Sequence, residues 1–166
     1  MFKKVNVYDL KLNPFQEIGN NWTLISAQKD GTANTMTASW GGWGILWGKE
    51  VITVYIRQSR YTKEFVDSQD YFTVSLFEGH KDALGILGSR SGRDGDKIAE
   101  AGFHLTMVEG QPAFEENKYV FLCRKLYALD MPLSTLPDQV EKDFYKTGDF
   151  HTMYVGEIVA CYEREG

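Results

Sequence analysis

The stretch V-I-T-V-Y-I-R, residues Val51 to Arg57, carries the clearest structural pattern of this chain. Its side chains alternate, so that Ile52, Val54 and Ile56 would share one apolar face. A period of two predicts a β-strand with one face buried in the core. The polar run that follows, Gln58 to Thr62, ends this strand and leads into a predicted helix.

Working outward from this strand, five other segments are rich in β-branched and aromatic residues and are predicted strands. They are Trp22 to Lys29, Asn34 to Trp40, Tyr71 to Phe77, Tyr119 to Leu129 and Thr152 to Glu163. Asp30-Gly31 is a turn signal that joins the first two in a hairpin. The predicted helices are short: Lys63 to Ser68 with Thr62 as its cap, Lys81 to Leu87, Asp94 to Ala101 and Pro137 to Tyr145. Strands without long helices between them favour a closed antiparallel barrel over a parallel sheet.

Length and composition limit the classes of protein to consider. The chain has 166 residues without an internal repeat or a linker, which predicts one domain from residue 1 to residue 166. Its 23 acidic and 18 basic residues give a formal charge of −5. Nonspecific nucleic-acid binding depends on Lys and Arg, so nucleic acid is not an expected partner. The charge balance does not argue against one phosphate on a small ligand.

Neither an export signal nor a membrane segment is visible, and we expect a cytoplasmic protein. Asp9 and Lys11 interrupt the apolar core that an export signal needs. The longest uncharged run, Gly31 to Gly48, contains five glycines and is too polar to span lipid. Cys123 and Cys161 lack C-x-x-C spacing and are expected to be buried, reduced thiols, with one disulfide between them as the alternative.

Several signatures of enzyme classes are incomplete. Gly48-Lys49 resembles the end of a nucleotide-triphosphatase loop, but Trp43 and Glu50 stand where that motif needs Gly and Ser or Thr. No G-x-G-x-x-G follows a strand, which argues against a Rossmann site. Ser39 lacks the preceding glycine of a nucleophile elbow. No metal site is expected, because no metal-ligand spacing relates the histidines, which are His80, His104 and His151.

The segment R-Q-S-R-Y-T, Arg57 to Thr62, lies where the best strand ends and a helix begins. It brings two guanidinium groups, two hydroxyls and the free N–H groups of a helix start within one turn. A phosphate dianion is bound by this kind of donor set. The alternative is a solvated strand end whose arginines pair with carboxylates and whose Thr62 only caps the helix.

The segment N-T-M-T-A-S-W, Asn34 to Trp40, alternates small polar side chains along a predicted strand. Uncharged hydroxyls and amides can hydrogen-bond the rim of a flat heteroaromatic ring. On spacing alone, an edge strand with a solvated polar face is the favoured interpretation.

Trp40, Trp43 and Trp47 have helical spacing, but the glycines between them cost a helix roughly 1 kcal/mol each. We therefore predict a flexible loop whose indoles cover a hydrophobic pocket or a partner subunit. The alternative is that they fold onto the protein's own core.

Gly88 to Lys97 mixes glycines, hydroxyls and three cations before a predicted helix. It could bind an anion or act as a mobile lid, and a solvated surface loop is the default for such a composition.

Together these motifs resemble the flavin reductase-like family of FMN-binding split β-barrels, which includes flavoredoxin. The similarity covers about Leu12 to Tyr162 and depends on motifs that occur in the expected order. They are N-x-M-T-x-S-W-G at Asn34 to Gly41, Trp47-Gly48-Lys49, R-x-S-R-Y-T at Arg57 to Thr62, F-T-V-S at Phe72 to Ser75, S-G-R-D-x-D-K at Ser91 to Lys97 and Y-V-G-E-I-V at Tyr154 to Val159. The resemblance implies a mainly β, antiparallel, Greek-key-like split β-barrel with a few short helices.

The resemblance also implies a homodimer with FMN near the subunit interface. It assigns the FMN phosphate to Arg57, Ser59, Arg60 and Thr62, with Tyr61 between them. It places the isoalloxazine ring along Thr35, Met36, Thr37, Ala38, Ser39 and Trp40, next to Asn34. Ser91, Arg93 and Lys97 match a family segment near the cofactor. His151 would approach the flavin or the nicotinamide, with a structural role as the alternative.

The activity that the resemblance implies is hydride transfer from NADH or NADPH to flavin N5. Electrons would then pass to free flavin, an acceptor protein or oxygen. Hydride delivery requires no proton-transferring side chain, so no catalytic residue is predicted. The alternative is an FMN-binding electron carrier that a partner protein reduces. A barrel that has lost its cofactor is disfavoured, because the donors from Arg57 to Thr62 are intact.

Overall fold

An eight-stranded antiparallel sheet dominates the computed structural model, which describes residues 1–166. The strands of the chain are β1 (Phe2–Val5), β2 (Thr23–Lys29), β3 (Thr32–Ala38), β4 (Gly41–Leu46), β5 (Lys49–Arg57), β6 (Tyr71–Leu76), β7 (Leu105–Val108), β8 (Gln111–Phe114), β9 (Tyr119–Asp130) and β10 (His151–Arg164). Seven strands follow the order β3-β2-β6-β9-β10-β5-β4, and β1 pairs with β10. Strands β7 and β8 form a separate hairpin.

The helices are short and connect the strands. They are α1 (Tyr61–Asp67), α2 (Lys81–Ser89), α3 (Lys97–Glu100) and α4 (Asp138–Phe144), with 3₁₀ turns at Val7–Asp9 and Leu133–Thr135 and a π-helix at Phe15–Asn21. None of them combines the length and the apolar character that crossing a membrane requires.

The barrel is not closed, which corrects the closed barrel expected from the strand pattern. Strands β3 and β4 are the two ends of the path and do not pair with each other. Helix α2 packs beside β3, where the Thr37 hydroxyl donates a hydrogen bond to the Leu84 carbonyl at 2.5 Å. The chain then leaves β3 at Ser39-Trp40 and begins the opposite edge of the sheet. The result is the split arrangement that the family resemblance implied.

The core lies on the face that the alternation in β5 predicted. Ile52, Val54 and Ile56 are buried and pack with Phe72 and Phe121 in the largest apolar cluster. Full burial of such a side chain contributes roughly 1.5–3 kcal/mol. Cys123 and Cys161 are also buried, and both are free thiols.

All six predicted strands are present, but the tryptophan segment is not the loop that was expected. Residues Gly41–Leu46 form β4, which pairs with β5. Trp47 and Gly48 form the turn between them, with φ values of 52° and 70°. Two consecutive positive φ values are typical of a two-residue hairpin turn whose twist matches that of its strands. Glycine adopts a positive φ without steric cost, which explains Gly48 after Trp47.

Two predicted helices begin elsewhere. Helix α1 starts at Tyr61 and has Arg60 as its N-cap, so Thr62 is inside the helix and does not cap it. Helix α3 covers only Lys97–Glu100 of the predicted Asp94 to Ala101, because the Asp96 side chain accepts from the Ala99 N–H at 3.1 Å and caps it there. The sequence patterns missed β1, the β7–β8 hairpin and the π-helix.

Candidate functional site

A cavity of about 330 Å³ lies where β5 passes into α1, opposite the segment from Ser89 to Arg93. We call it the cationic cavity, because its lining contains five cationic side chains and no carboxylate. The cations are Arg57, Arg60, Arg90, Arg93 and Lys97, and the other lining residues are Asn34, Met36, Ser59, Tyr61, Thr62, Ser89, Ser91 and Gly92. The fold thus brings the R-x-S-R-Y-T motif and the glycine-rich Gly88 to Lys97 segment to one site.

Three of these cations, Arg57, Arg60 and Lys97, have no carboxylate partner and donate to main-chain carbonyls. Arg60 donates to the Gly88 carbonyl at 2.7 Å, and burial followed by the nearby Arg57 lowers its pKa. Lys97 is 5% exposed and donates to the carbonyls of Leu87 at 2.8 Å and Arg90 at 3.1 Å. Burial, and secondarily Arg60, lowers the pKa of Lys97 to about 8. An anion in the cavity would relieve both effects.

Arg57 and Ser59 are already bound to the segment that precedes β10. The Arg57 guanidinium donates to the carbonyls of Asp149 at 2.8 Å and Phe144 at 3.1 Å. The Asp149 carboxylate accepts from the Ser59 N–H at 3.0 Å and from the Ser59 hydroxyl at 2.5 Å. The Asp149 carboxylate therefore accepts both hydrogen bonds from Ser59, a residue that the family resemblance assigned to phosphate. No sequence pattern indicated Asp149, which is 90 residues away from Ser59.

Arg93 and Ser91 lie at the outer wall of the cationic cavity. Arg93 donates to Glu64 Oε1 at 2.8 Å and lies over the Tyr61 ring, 4.6 Å from its centre. The Ser91 hydroxyl accepts from the Arg93 N–H at 3.2 Å. Because Glu64 neutralises part of its charge, Arg93 is a weaker candidate for binding an anion than Arg60 or Lys97.

Thr62 and Asn34 join the two predicted motifs. The Asn34 side-chain amide donates to the Thr62 hydroxyl at 2.8 Å, and both residues are buried. A Cβ on Gly92 would collide with Asn34 Oδ1 and lie 3.3 Å from the Tyr61 ring. Only glycine lets the Gly88 to Lys97 segment approach β3 this closely.

A second cavity, of about 190 Å³, continues from the cationic cavity along β3, and we call it the ring cavity. The two share Met36, Arg57 and Arg60. Its other lining residues are Thr37, Ala38, Ser39, Trp40, Tyr55 and His151. The structure thus places five of the six residues predicted to contact a flavin ring along one cavity.

Two of the three hydroxyls expected to meet the ring, those of Thr35 and Thr37, are engaged elsewhere. Thr35 is fully buried, does not line the ring cavity and donates to the Ile25 carbonyl at 3.1 Å. The Thr37 hydroxyl donates its hydrogen bond to the Leu84 carbonyl. Strand β3 pairs only with β2, so its outer edge has backbone N–H and C=O groups without a strand partner. The hydrogen-bonding groups available to a ring are therefore these backbone groups and the Ser39 hydroxyl, which lines the ring cavity.

His151 lies at the inner end of the ring cavity as the first residue of β10. Its Nδ1 and the Tyr145 hydroxyl are 2.7 Å apart, and its ring centre is 5.0 Å from that of Trp40. Burial, and secondarily the charge of Arg57, lowers its pKa to about 4. His151 is therefore neutral at pH 7 and lies where it can contact a ring without adding charge.

A third cavity, of about 540 Å³, adjoins the ring cavity. The two share Ser39, Trp40 and Tyr55. We call it the aromatic cavity, since its lining includes Phe15, Trp43 and Tyr145 but no charged side chain.

The donor set fits FMN in its chemistry. An excess of cations without lining carboxylates suits a phosphate dianion. The adjoining ring cavity has Arg57 and Arg60 as its only charged lining residues, and it is bordered by a free strand edge, which suits a flat ring with hydrogen-bonding groups on its rim.

Comparison with solved structures supports this fold. An FMN-binding domain of a flavin reductase-like enzyme from Shewanella baltica is 17% identical, with a TM-score of 0.70 over 98% of this chain and 77% of that one. Flavoredoxin from Methanosarcina acetivorans is 24% identical, with a TM-score of 0.69 over 87% of this chain and 69% of that one. An FMN-binding protein from Thermus thermophilus is 25% identical, with a TM-score of 0.67 over 87% and 71%.

These likenesses confirm the split-barrel fold class. No curated protein sequence matches the chain significantly. The sequence model of the flavin reductase like domain matches residues 15–166, nearly the whole chain. This protein therefore belongs to the flavin reductase-like family.

Proposed function

We propose that this protein binds FMN and acts as an NAD(P)H-dependent flavin reductase. The observation that carries the proposal is the continuity of the cationic cavity with the ring cavity through Met36, Arg57 and Arg60. When bound, FMN supplies the redox chemistry by accepting a hydride and passing electrons on. The protein binds the cofactor, orients its ring and excludes competing groups.

The cationic cavity supports a phosphate position between the β5–α1 turn and the Gly88 to Lys97 segment. Arg60 and Lys97 are its most buried cations and lack carboxylate partners, so they are the main phosphate ligands of the proposal. Arg57 adds charge at the border with the ring cavity. Ser59 becomes a ligand only when Asp149 releases it.

The ring cavity supports a reductase rather than a closed electron carrier. A carrier in which the tryptophan segment covers the ring would have Trp43 or Trp47 over the ring cavity. Neither lines it: Trp43 packs on Phe121 in the core, and Trp47 is 64% exposed beside Tyr127. The ring therefore keeps an accessible face where a nicotinamide can approach.

A homodimer is part of the proposal. Ile45 and Trp47 on the β4–β5 hairpin are 66% and 64% exposed, and Tyr127 and Leu129 on β9 are also exposed. Trp47 meets the Tyr127 ring edge-on with 6.3 Å between ring centres. Clusters of large exposed apolar side chains mark interaction surfaces. Sedimentation equilibrium should give twice the monomer mass, and Trp47→Glu should shift the protein toward monomer.

The test of function follows the visible absorbance of FMN-loaded protein without oxygen while NADH and NADPH are added separately. Rapid bleaching by either nucleotide, with a rate that saturates with its concentration, supports the reductase. A flavin that dithionite bleaches but neither nucleotide does contradicts it and indicates the electron carrier. Protein that retains no FMN after gel filtration contradicts the cofactor assignment.

A further inference from the structure

Tyr145 is the only hydrogen-bond partner that the protein offers to the imidazole of His151. Its hydroxyl lies 2.7 Å from His151 Nδ1, and the two residues are almost fully buried, with 5% and 6% of their surface exposed. They belong to different elements, since Tyr145 follows the last residue of α4 and His151 begins β10. This contact therefore orients the imidazole of a residue that lines the ring cavity.

The hydrogen of the Tyr145 hydroxyl has one acceptor in the protein, which is His151 Nδ1. A tyrosine hydroxyl can donate or accept, and a neutral imidazole has one N–H and one bare nitrogen. If the hydroxyl accepted from an Nδ1–H, its own hydrogen would be left without an acceptor in a nearly enclosed site, which costs free energy. The hydroxyl therefore donates, and Nδ1 is the bare nitrogen.

The other ring nitrogen of His151, Nε2, then carries the hydrogen. Burial, and secondarily the charge of Arg57, lowers the pKa of the imidazole to about 4, so only one of its nitrogens is protonated at pH 7. Nε2 has no hydrogen-bond partner in the protein, yet it is not one of the enclosed polar atoms that lack a partner. It is therefore accessible from the ring cavity, which His151 lines.

Arg57 holds the chain on both sides of this contact. Its guanidinium donates to the Phe144 carbonyl, next to Tyr145, and to the Asp149 carbonyl, two residues before His151. It also lies over the Tyr145 ring, 5.1 Å from the ring centre. The hydroxyl and the imidazole are thus held in register from outside the pair, and the positive charge beside them favours the neutral imidazole.

We propose that Tyr145 is a positioning residue, which fixes His151 as the tautomer whose Nε2–H donates a hydrogen bond to the flavin ring. The inference rests on the proposed function, which places that ring in the ring cavity. A fixed N–H group stabilises negative charge that develops beside it, here the charge that a ring gains with a hydride. The pair therefore raises the reduction potential of bound FMN, and it transfers no proton.

The first experiment reads the tautomer from the nitrogen chemical shifts of the histidine rings, in the full-length protein at pH 7 with and without FMN. His151 is expected to have a protonated Nε2 and a bare Nδ1 in both states. Tyr145→Phe should give a mixture of the two tautomers, because neither nitrogen then has a partner that selects it. A hydrogen on Nδ1 in the wild type would overturn the proposal.

Tyr162→Phe is the matched control for the loss of a tyrosine hydroxyl. Tyr162 lies on β10, as His151 does, and its hydroxyl donates to Glu109, away from the three cavities. This variant should leave the His151 shifts and the potential of bound FMN unchanged. A change as large as that of Tyr145→Phe would show that the shifts report a general loss of packing and would contradict the assignment.

The second experiment measures the reduction potential of bound FMN. His151→Leu removes the donor and should lower the ratio of affinities for reduced and oxidised FMN roughly three- to tenfold. For a two-electron couple this is a potential lower by roughly 15–30 mV. His151→Gln keeps a side-chain N–H and should stay close to the wild type. Equal potentials of the two His151 variants would overturn the proposal.

A double variant tests whether Tyr145 acts through His151. Tyr145→Phe alone should lower the potential by a smaller amount than His151→Leu. Tyr145→Phe combined with His151→Leu should have the same potential as His151→Leu, because the imidazole that Tyr145 orients is gone. Additive effects would show that Tyr145 acts on the flavin independently and would contradict a positioning role.

The two experiments separate this inference from the proposed function. If the wild type binds FMN and NAD(P)H reduces it, but His151→Leu leaves the potential unchanged, the inference alone fails. If the wild type binds no FMN, the proposed function fails, and with it the role of Tyr145 toward a flavin, while the nitrogen shifts still decide the tautomer of His151.

Discussion

The cationic cavity and the aromatic cavity both adjoin the ring cavity, yet their linings differ in charge. One has five cations in its lining, and the other has no charged side chain. The cationic cavity shares Arg57 and Arg60 with the ring cavity, whereas the aromatic cavity shares Trp40 and Tyr55 with it.

The two cavities also differ in how they are assembled. Much of the cationic cavity comes from two short segments, Arg57 to Thr62 and Ser89 to Arg93. The aromatic cavity combines residues from five separate parts of the chain. A site made from local segments leaves a motif in the sequence, while a site made from scattered residues does not.

The largest expected effect comes from removing both shared arginines. Arg57→Ala together with Arg60→Ala should weaken FMN binding at least roughly 100-fold, because charge-assisted hydrogen bonds contribute roughly 1.5–3 kcal/mol each. The affinity for riboflavin, which lacks the phosphate, should fall much less. Fluorescence titration with both flavins measures this difference. Arg164→Ala, far from the cavities, is the control, and a double variant that copurifies with full FMN would disprove the phosphate site.

A second prediction concerns His151, whose imidazole should be neutral at pH 7. Its pKa is about 4 in the folded protein against 6.5 for a free side chain, so the unfolded chain binds the proton more tightly. His151 therefore contributes stability above pH 6.5 that is lost as pH falls toward 4, by roughly 3 kcal/mol in total.

Urea unfolding at about pH 7.5 and about pH 4.5 measures whether the free energy of unfolding falls on acidification as expected. The wild type should lose more stability on acidification than His151→Gln does. His104→Gln is the matched control, because the hydrogen bond to Glu116 raises the pKa of His104, and its contribution has the opposite sign. Identical acid sensitivity of the wild type and His151→Gln would contradict the neutral, buried imidazole.

Lys97 gives a third prediction, on the charge of the cationic cavity. Because its pKa is about 8, it is charged at pH 7 and increasingly neutral above pH 8. A phosphate stabilises the charged form, so FMN affinity should fall between about pH 7 and about pH 9.5, by up to roughly tenfold. Lys97→Met should bind FMN more weakly at pH 7 and show a flatter profile. Riboflavin affinity should not change with pH in this way. The same pH dependence of affinity for FMN and for riboflavin would rule out a contact between Lys97 and the phosphate.

The smallest effect concerns Asp149, the anion that already lies at the cationic cavity. Asp149→Asn removes a negative charge near Arg57 and Arg60 and loosens the hold on Ser59. FMN affinity should rise roughly three- to tenfold while riboflavin affinity stays constant. Asp143→Asn, on the exposed face of α4, is the matched control. Weaker FMN binding would show that Asp149 positions Ser59 for phosphate rather than competing with it.

The sequence predicted the strands well because their signal is local. The alternation of Ile52, Val54 and Ile56 identifies the buried face of β5, and the Asp30-Gly31 turn identifies the β2–β3 hairpin. The tryptophan segment was predicted wrongly, because its glycines weaken any local preference. Pairing with β5 along its whole length decides that it is a strand.

In the candidate site, too, local features could be predicted from the sequence and long-range contacts could not. By itself the sequence determined that two guanidinium groups and two hydroxyls lie close together from Arg57 to Thr62, since these residues are neighbours in the chain, and it predicted an anion site there. Only the tertiary structure decided that the Asn34 amide donates to the Thr62 hydroxyl and that the Asp149 carboxylate accepts from the Ser59 hydroxyl. It also decided that Trp43 lines a cavity without charged lining residues. These contacts join residues far apart in the chain, and their partners are fixed by sheet register and by loop paths that no local pattern encodes.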